Sequence, residues 1–119
     1  ASDVYKRQAL IYRARSQRCE YVTAPGVAIG IFEAAEFERS TTRLDPGDIL
    51  VLYTDGITEA INADEHEFGE ERLEKLVMRH AATSSRRLVG LVMDAVKTFA
   101  GDQELFDDAT LVIIKRQPA

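Results

Sequence analysis

Apolar positions change their spacing several times along the chain, and each change marks an element. The segment ALIYRAR at 9–15 and the segment RCEYV at 18–22 flank the polar pair Ser16-Gln17, which predicts a hairpin of two short strands. Ala24-Pro25-Gly26 interrupts the chain, and VAIGIF then supplies an apolar loop or short strand in which Gly30 permits close backbone approach. Residues 37–43 alternate in the manner of an edge strand with one solvated side. Asp45-Pro46-Gly47-Asp48 places proline and glycine at the two central positions of a type II turn, and a buried strand is expected directly after it at 49–54. Past Gly56 the period lengthens: 57–61 suit a short helix and 62–67 a polar, acidic loop. Residues 70–81 carry Leu73, Leu76, Val77 and His80 at helical spacing, with glutamates in the opening turns where negative charge favours a helix N-terminus. Ser84 or Ser85 can cap a second helix whose Leu88, Val89, Val92, Val96 and Phe99 form one apolar stripe, ended by Gly101. The β-branched run ATLVIIK at 109–115 predicts a final buried strand, with Asp107-Asp108 immediately before it.

Strands, paired helices and a closing strand predict an α+β fold. A length of 119 residues suits one domain with one core. Composition is 45% hydrophobic and 29% charged, which is ordinary globular usage and sets aside disordered and repeat classes. A net charge of −5 argues against general affinity for a nucleic-acid backbone, and no apolar run reaches the ~18 residues of a membrane span. With no basic-then-apolar leader at the N-terminus, the chain is expected to be unexported and cytoplasmic. The octet ASDVYKRQ fits no periodic template and is expected to be a non-native leader, with the fold beginning at residue 9. The lone Cys19 excludes an internal disulfide and reads as a small packing residue.

The chemistry sits at strand ends. If strands 49–54 and 109–115 lie side by side and antiparallel, Asp55 and Asp107 converge, and two carboxylates that close need a proton or a cation between them. Oxygen-only ligands favour Mg²⁺ or Mn²⁺ over Zn²⁺, and Gly56, without a Cβ, would let backbone or a bound water come near. Asp-Gly after a strand also makes an ordinary turn and Asp-Asp before one an ordinary loop, so the residues alone leave both readings open. Glu59, one helical turn beyond Asp55, either orients a ligand or water or belongs to a solvated helix face. Asp48 is expected to hydrogen-bond its turn. His66 and His80 read as loop and helix-surface residues, since neither has a second histidine at metal spacing. Arg86 and Arg87 stand opposite the apolar stripe of a helix expected to pack on the core first.

LDPGDILVLYTDGITEA, EFGEERL and FDDATLVIIK, in that order and spacing, resemble the C-terminal part of the metal-dependent protein phosphatase family, in its bacterial branch typified by stage II sporulation protein E. The likeness runs from about residue 9 to residue 115. It implies the C-terminal part of an α-β-β-α sandwich, mostly antiparallel sheets flanked by helices, with a binuclear Mn²⁺ or Mg²⁺ centre in the complete domain. It also implies hydrolysis of phosphoserine or phosphothreonine on a signalling protein such as an anti-sigma factor antagonist, by attack of water without a covalent phosphoenzyme. Asp55 matches the aspartate ligand of the family's threonine-aspartate-glycine block, and Asp107 the ligand of its final aspartate pair. Asp108 takes the companion position behind that ligand.

The family's earlier glycine-aspartate and glycine-histidine-glycine blocks, and the asparagine-alanine-glycine-histidine block expected before ALIYR, have no counterpart in the sequence. The chain is therefore expected to be inactive alone and to self-associate through sheet surface left uncovered. The competing reading is an interaction module of the same fold without metal chemistry. An unrelated Mg²⁺-dependent hydrolase would need further clustered acids or histidines.

Overall fold

The structure, a computed structural model, describes residues 9–21, 43–101 and 109–117. The expected element at 27–32, the expected edge strand at 37–43 apart from Arg43, the octet 1–8, and Asp107 and Asp108 lie outside the described residues. Strand β1 (Ala9–Arg13) and β2 (Arg18–Tyr21) form the expected hairpin, closed by a turn in which Gln17 takes φ 57° and its N–H reaches the Arg13 carbonyl at 2.7 Å. Strand β3 (Ile49–Tyr53) pairs antiparallel with β1 and with β4 (Leu111–Lys115), giving the order β2-β1-β3-β4.

The turn before β3 is as its sequence predicts. Gly47 adopts φ 89°, and the Asp48 N–H donates to the Asp45 carbonyl at 2.9 Å. A Cβ added at Gly47 would stand 2.9 Å from the Ala14 Cβ, so the position excludes side chains for two reasons. The turn is also tied to the far end of β4, where the Gly47 N–H meets the Arg116 carbonyl and the Arg116 N–H meets the Asp48 carbonyl.

Helix α1 (Asp55–Thr58) follows β3 directly, so it starts two residues earlier than the apolar pattern predicts. Helix α2 (Gly69–Arg79) buries Leu73 and Val77, and His80 ends it rather than lying within it. Helix α3 (Ser85–Ala100) buries Leu88, Val92, Val96 and Ala100; the Ser84 hydroxyl accepts the Arg87 N–H at its start and Gly101 closes it at φ 60°. Both longer helices lie on one face of the sheet. Their stripes meet Leu10, Tyr12, Ile49, Val51, Tyr53 and Ile113 in a single core, with α3 along β4 and α2 beside β2. Leu10, Val51 and Ile113 stand in register across β1, β3 and β4, which is why alternate residues of three strands contribute to it.

One expectation needs correcting. β4 begins at Leu111 rather than Ala109, and only Ile113 is buried, whereas Val112 and Ile114 on the other face are 45% and 48% exposed. An unbroken apolar run suggests burial on both faces, but β4 lies at one edge of the described sheet and the helices cover one side of it.

Candidate functional site

The site is built where β3 ends. Beyond the last ladder pair, Tyr53 with Leu111, the Thr54 N–H donates to the Thr110 carbonyl at 3.1 Å and the Thr110 N–H donates to the Thr54 hydroxyl at 3.0 Å. Thr54 thus continues the ladder with its side chain. It also occupies the N-cap position of α1 without capping through that hydroxyl, and its carbonyl accepts the Ile57 N–H at 2.9 Å. One residue ends the strand, starts the helix and holds the neighbouring chain.

Asp55 is the first residue of α1 and is half-buried, while Gly56 and Ile57 behind it are buried. Its carbonyl accepts the Glu59 N–H at 2.8 Å, closing the only full turn of that helix. Glu59 is exposed at the C-cap. The antiparallel pairing of β3 and β4 on which the convergence of Asp55 and Asp107 depends is therefore present, and it carries through to Thr110, three residues after Asp107 in sequence. Asp107 and Asp108 themselves lie outside the described residues.

Asp55 offers the hard oxygen donor that Mn²⁺ or Mg²⁺ takes. Among the described residues no three His, Cys, Asp or Glu side chains come together, so these residues do not by themselves form a complete metal site.

Three other carboxylates are committed elsewhere. Glu70 of α2 accepts the Tyr53 hydroxyl at 3.0 Å, and Glu74, one turn on, accepts the Tyr21 hydroxyl. Burial, together with the Glu74 hydrogen bond and the charge of Glu70, pushes the Tyr21 phenol far up. Asp48, at the opposite end of β3, is fully buried: its Oδ1 accepts the Ala14 N–H at 2.9 Å, and its Oδ2 accepts both Arg13 Nη1 and the Asp45 N–H at 2.9 Å. Burial opposes its ionisation, but the two N–H donors and the guanidinium outweigh that, and the carboxyl lies below the usual range.

Asp48 therefore does bond its turn, as expected. Its ion pair with Arg13 was not foreseen, because the partner lies 35 residues away and no local pattern marks it. The role of Thr54 was likewise missed; a hydroxyl residue between an apolar strand and Asp-Gly was the available signal. Cys19 packs against the core and burial pushes its thiol up to about 11, so it is a protonated packing residue at neutral pH. His66 is exposed in the loop after α1, where its N–H meets the Asn62 side chain. No described helix is long and apolar enough to cross a membrane.

Residues 6–117 match the family described as stage II sporulation protein E. Over 95 residues the chain is 32% identical to the phosphoserine phosphatase RsbU of Bacillus subtilis, covering 79% of this chain and 28% of that protein. Over 91 residues it is 28% identical to protein IcfG of Synechocystis, covering 76% of this chain and 14% of that one. The chain thus spans less than a third of the length of either relative. Among solved structures it resembles the phosphatase domain of the cell fate determinant SpoIIE from Bacillus subtilis in a manganese-presoaked form, with TM-score 0.64 and 19% identity over 96% of this chain and 48% of that one. It also resembles the SiaA-PP2C domain of Pseudomonas aeruginosa, with TM-score 0.58 and 21% identity over 62% of this chain and 30% of the other. These likenesses establish the α+β phosphatase-domain fold. By the extent of its family match, which runs over nearly the whole sequence, the chain belongs to the stage II sporulation protein E family.

Proposed function

We propose that this chain is the C-terminal portion of a metal-dependent protein phosphatase domain that hydrolyses phosphoserine or phosphothreonine on a cytoplasmic signalling protein, such as an anti-sigma factor antagonist. The observation that carries the reading is the double link between Thr54 and Thr110. It fixes the start of β4 against the residue preceding Asp55. At ~3.3–3.6 Å per residue, covalent reach alone keeps Asp107 within about 11 Å of Thr110. Asp55 and Asp107 are the proposed ligands of a Mn²⁺ or Mg²⁺ ion. Gly56, Asp108 and Glu59 are the proposed supporting residues of that ion, Glu59 by orienting water or a ligand.

When bound, the divalent ion polarises the phosphoryl oxygens. The chain's own contribution is to deliver a carboxylate from a rigid strand end, since Ile49, Val51 and Tyr53 of β3 are locked in the core and Thr54 holds the neighbouring segment. Two ligands are fewer than a binuclear site requires, and we propose that the 119-residue chain alone turns over no phosphoester. The exposed Val112 and Ile114 support self-association through that sheet face, which sedimentation of Val112→Asp against the parent chain tests.

The deciding experiment is calorimetric titration of the chain with Mn²⁺ alongside hydrolysis of a small aryl phosphate. The expected result is weak Mn²⁺ binding, lost in both Asp55→Asn and Asp107→Asn, with no turnover. Turnover abolished by Asp55→Asn would overturn the inactivity. Binding indifferent to both substitutions would overturn the ligand assignment and favour a metal-free interaction module of the same fold.

A further inference from the structure

The outward side of the two longer helices carries a feature unrelated to Asp55. Between α2 and α3 lies an open groove of about 620 Å³. Its walls are apolar: Leu76 from α2, and Leu91, Ala95 and Phe99 from α3, all only partly buried. A closed helix pair would interlock such side chains. Here they remain open to the surface.

Its rim is cationic along one side. Arg72, Lys75 and Arg79 follow one another up the same face of α2. Lys75 pairs with Glu71 at 3.1 Å, an exposed pair that solvent screens. Among the described residues neither Arg72 nor Arg79 pairs with a carboxylate. Arg72 is nevertheless held in place: its guanidinium lies 4.5 Å from the Phe99 ring centroid and donates to the Glu67 and Phe68 carbonyls at 2.9 Å, while Phe68 meets Phe99 edge to face at 5.6 Å. A fixed guanidinium loses little freedom when it takes up an anionic partner. Asp94 is the acidic residue lining the groove. In a chain of net charge −5, a row of three cations beside an apolar trough is a local reversal of sign.

We propose that this groove is a docking surface for an acidic segment of a partner protein, one that sets apolar side chains against Leu76, Leu91 and Phe99 and carboxylates against Arg72, Lys75 and Arg79. The apolar trough supplies contact area and the cations select sign and orientation. The interaction is independent of the metal-site reading, because none of these residues belongs to it.

The test is fluorescence anisotropy of the chain with a labelled helical peptide bearing leucines at i, i+4 spacing and glutamates elsewhere, compared with the same peptide carrying lysines for glutamates. The glutamate peptide is expected to bind, more weakly as salt rises, and the lysine peptide not to bind. Lys75→Glu with Arg79→Glu is expected to weaken it about tenfold, and Asp94→Lys to tighten it about threefold. All three positions are exposed, and unchanged unfolding midpoints would confirm that the variants fold. Equal binding of the two peptides, binding of neither, or indifference to the charge reversal overturns the proposal. A concentration-dependent dimer that Arg79→Glu dissolves in the absence of peptide also overturns it, by making a second copy the occupant.

Discussion

Strand β3 has an aspartate beyond each end, and the two are treated in opposite ways. Asp48 at its start is buried and its carboxylate accepts three donors from two segments of the chain. Asp55 at its end is half-buried at the head of a one-turn helix, beside the Thr54–Thr110 link. The same strand thus uses one carboxylate to tie a turn, a hairpin and an arginine together, and presents the other at the rim. Sequence context separates them poorly, since both follow or precede glycine. What separates them is depth: Asp48 is fully buried, its charge compensated by a guanidinium and two N–H groups that a cation would have to displace, whereas Asp55 is half-buried at the head of a helix.

The comparison can be broken most directly at Asp48. Asp48→Ala leaves Arg13 and two backbone N–H groups without their acceptor, and is expected to cost about 3 kcal/mol in chemical denaturation. A loss below ~1 kcal/mol would show that solvent replaces the carboxylate readily, and that the Asp48 end is no more committed than the other. Gly47→Ala, in the same turn, should cost about 1–2 kcal/mol, because a left-handed φ and the approach to Ala14 both oppose a Cβ.

Acid tests the same end without mutation. The folded-state pKa of Asp48 lies below its unfolded value, so its contribution is present above the unfolded pKa of ~3.9 and is lost as pH falls through the lower folded value. Stability should therefore decline as pH drops below about 4, with a shallower decline in Asp48→Asn. Parallel profiles for the two proteins would remove Asp48 from the explanation. The smallest effect belongs to the other aspartate: Asp55→Asn, which removes a negative charge from a helix N-terminus, should alter metal-free stability by about 1 kcal/mol or less, leaving its larger consequence to Mn²⁺ titration. A loss comparable to that of Asp48→Ala would make Asp55 a structural residue.

Much of this architecture is legible before any coordinates. Val92 and Val96 fall on the buried stripe that their spacing predicts, Ser84 caps where a hydroxyl precedes that stripe, and Gly47 takes the positive φ its place after Pro46 requires. The start of α1 was not legible, because Asp55 and Gly56 resemble a turn and their helical conformation follows from Thr54 being fixed to Thr110. The exposure of Val112 and Ile114 was not legible either: an apolar β-branched run looks the same whether one face or both are covered. Of the candidate site, the residue type at Asp55 and the antiparallel neighbourhood of β3 and β4 could be read ahead, while the hydroxyl that secures them could not.

The sequence by itself determined the element types, the turn before β3, the helix caps and the apolar faces, because these depend on local sterics and on side chains only a few residues apart. Tertiary structure decided which acid is fully buried against an arginine and which stays half-buried at the rim, which face of β4 stays open, and that Arg72, Lys75 and Arg79 border a groove instead of merely lining a solvated helix. Those outcomes rest on partners such as Arg13 for Asp48 and Thr110 for Thr54, brought together across 35 and 56 residues by packing of the core. No local window of sequence contains both members of either pair.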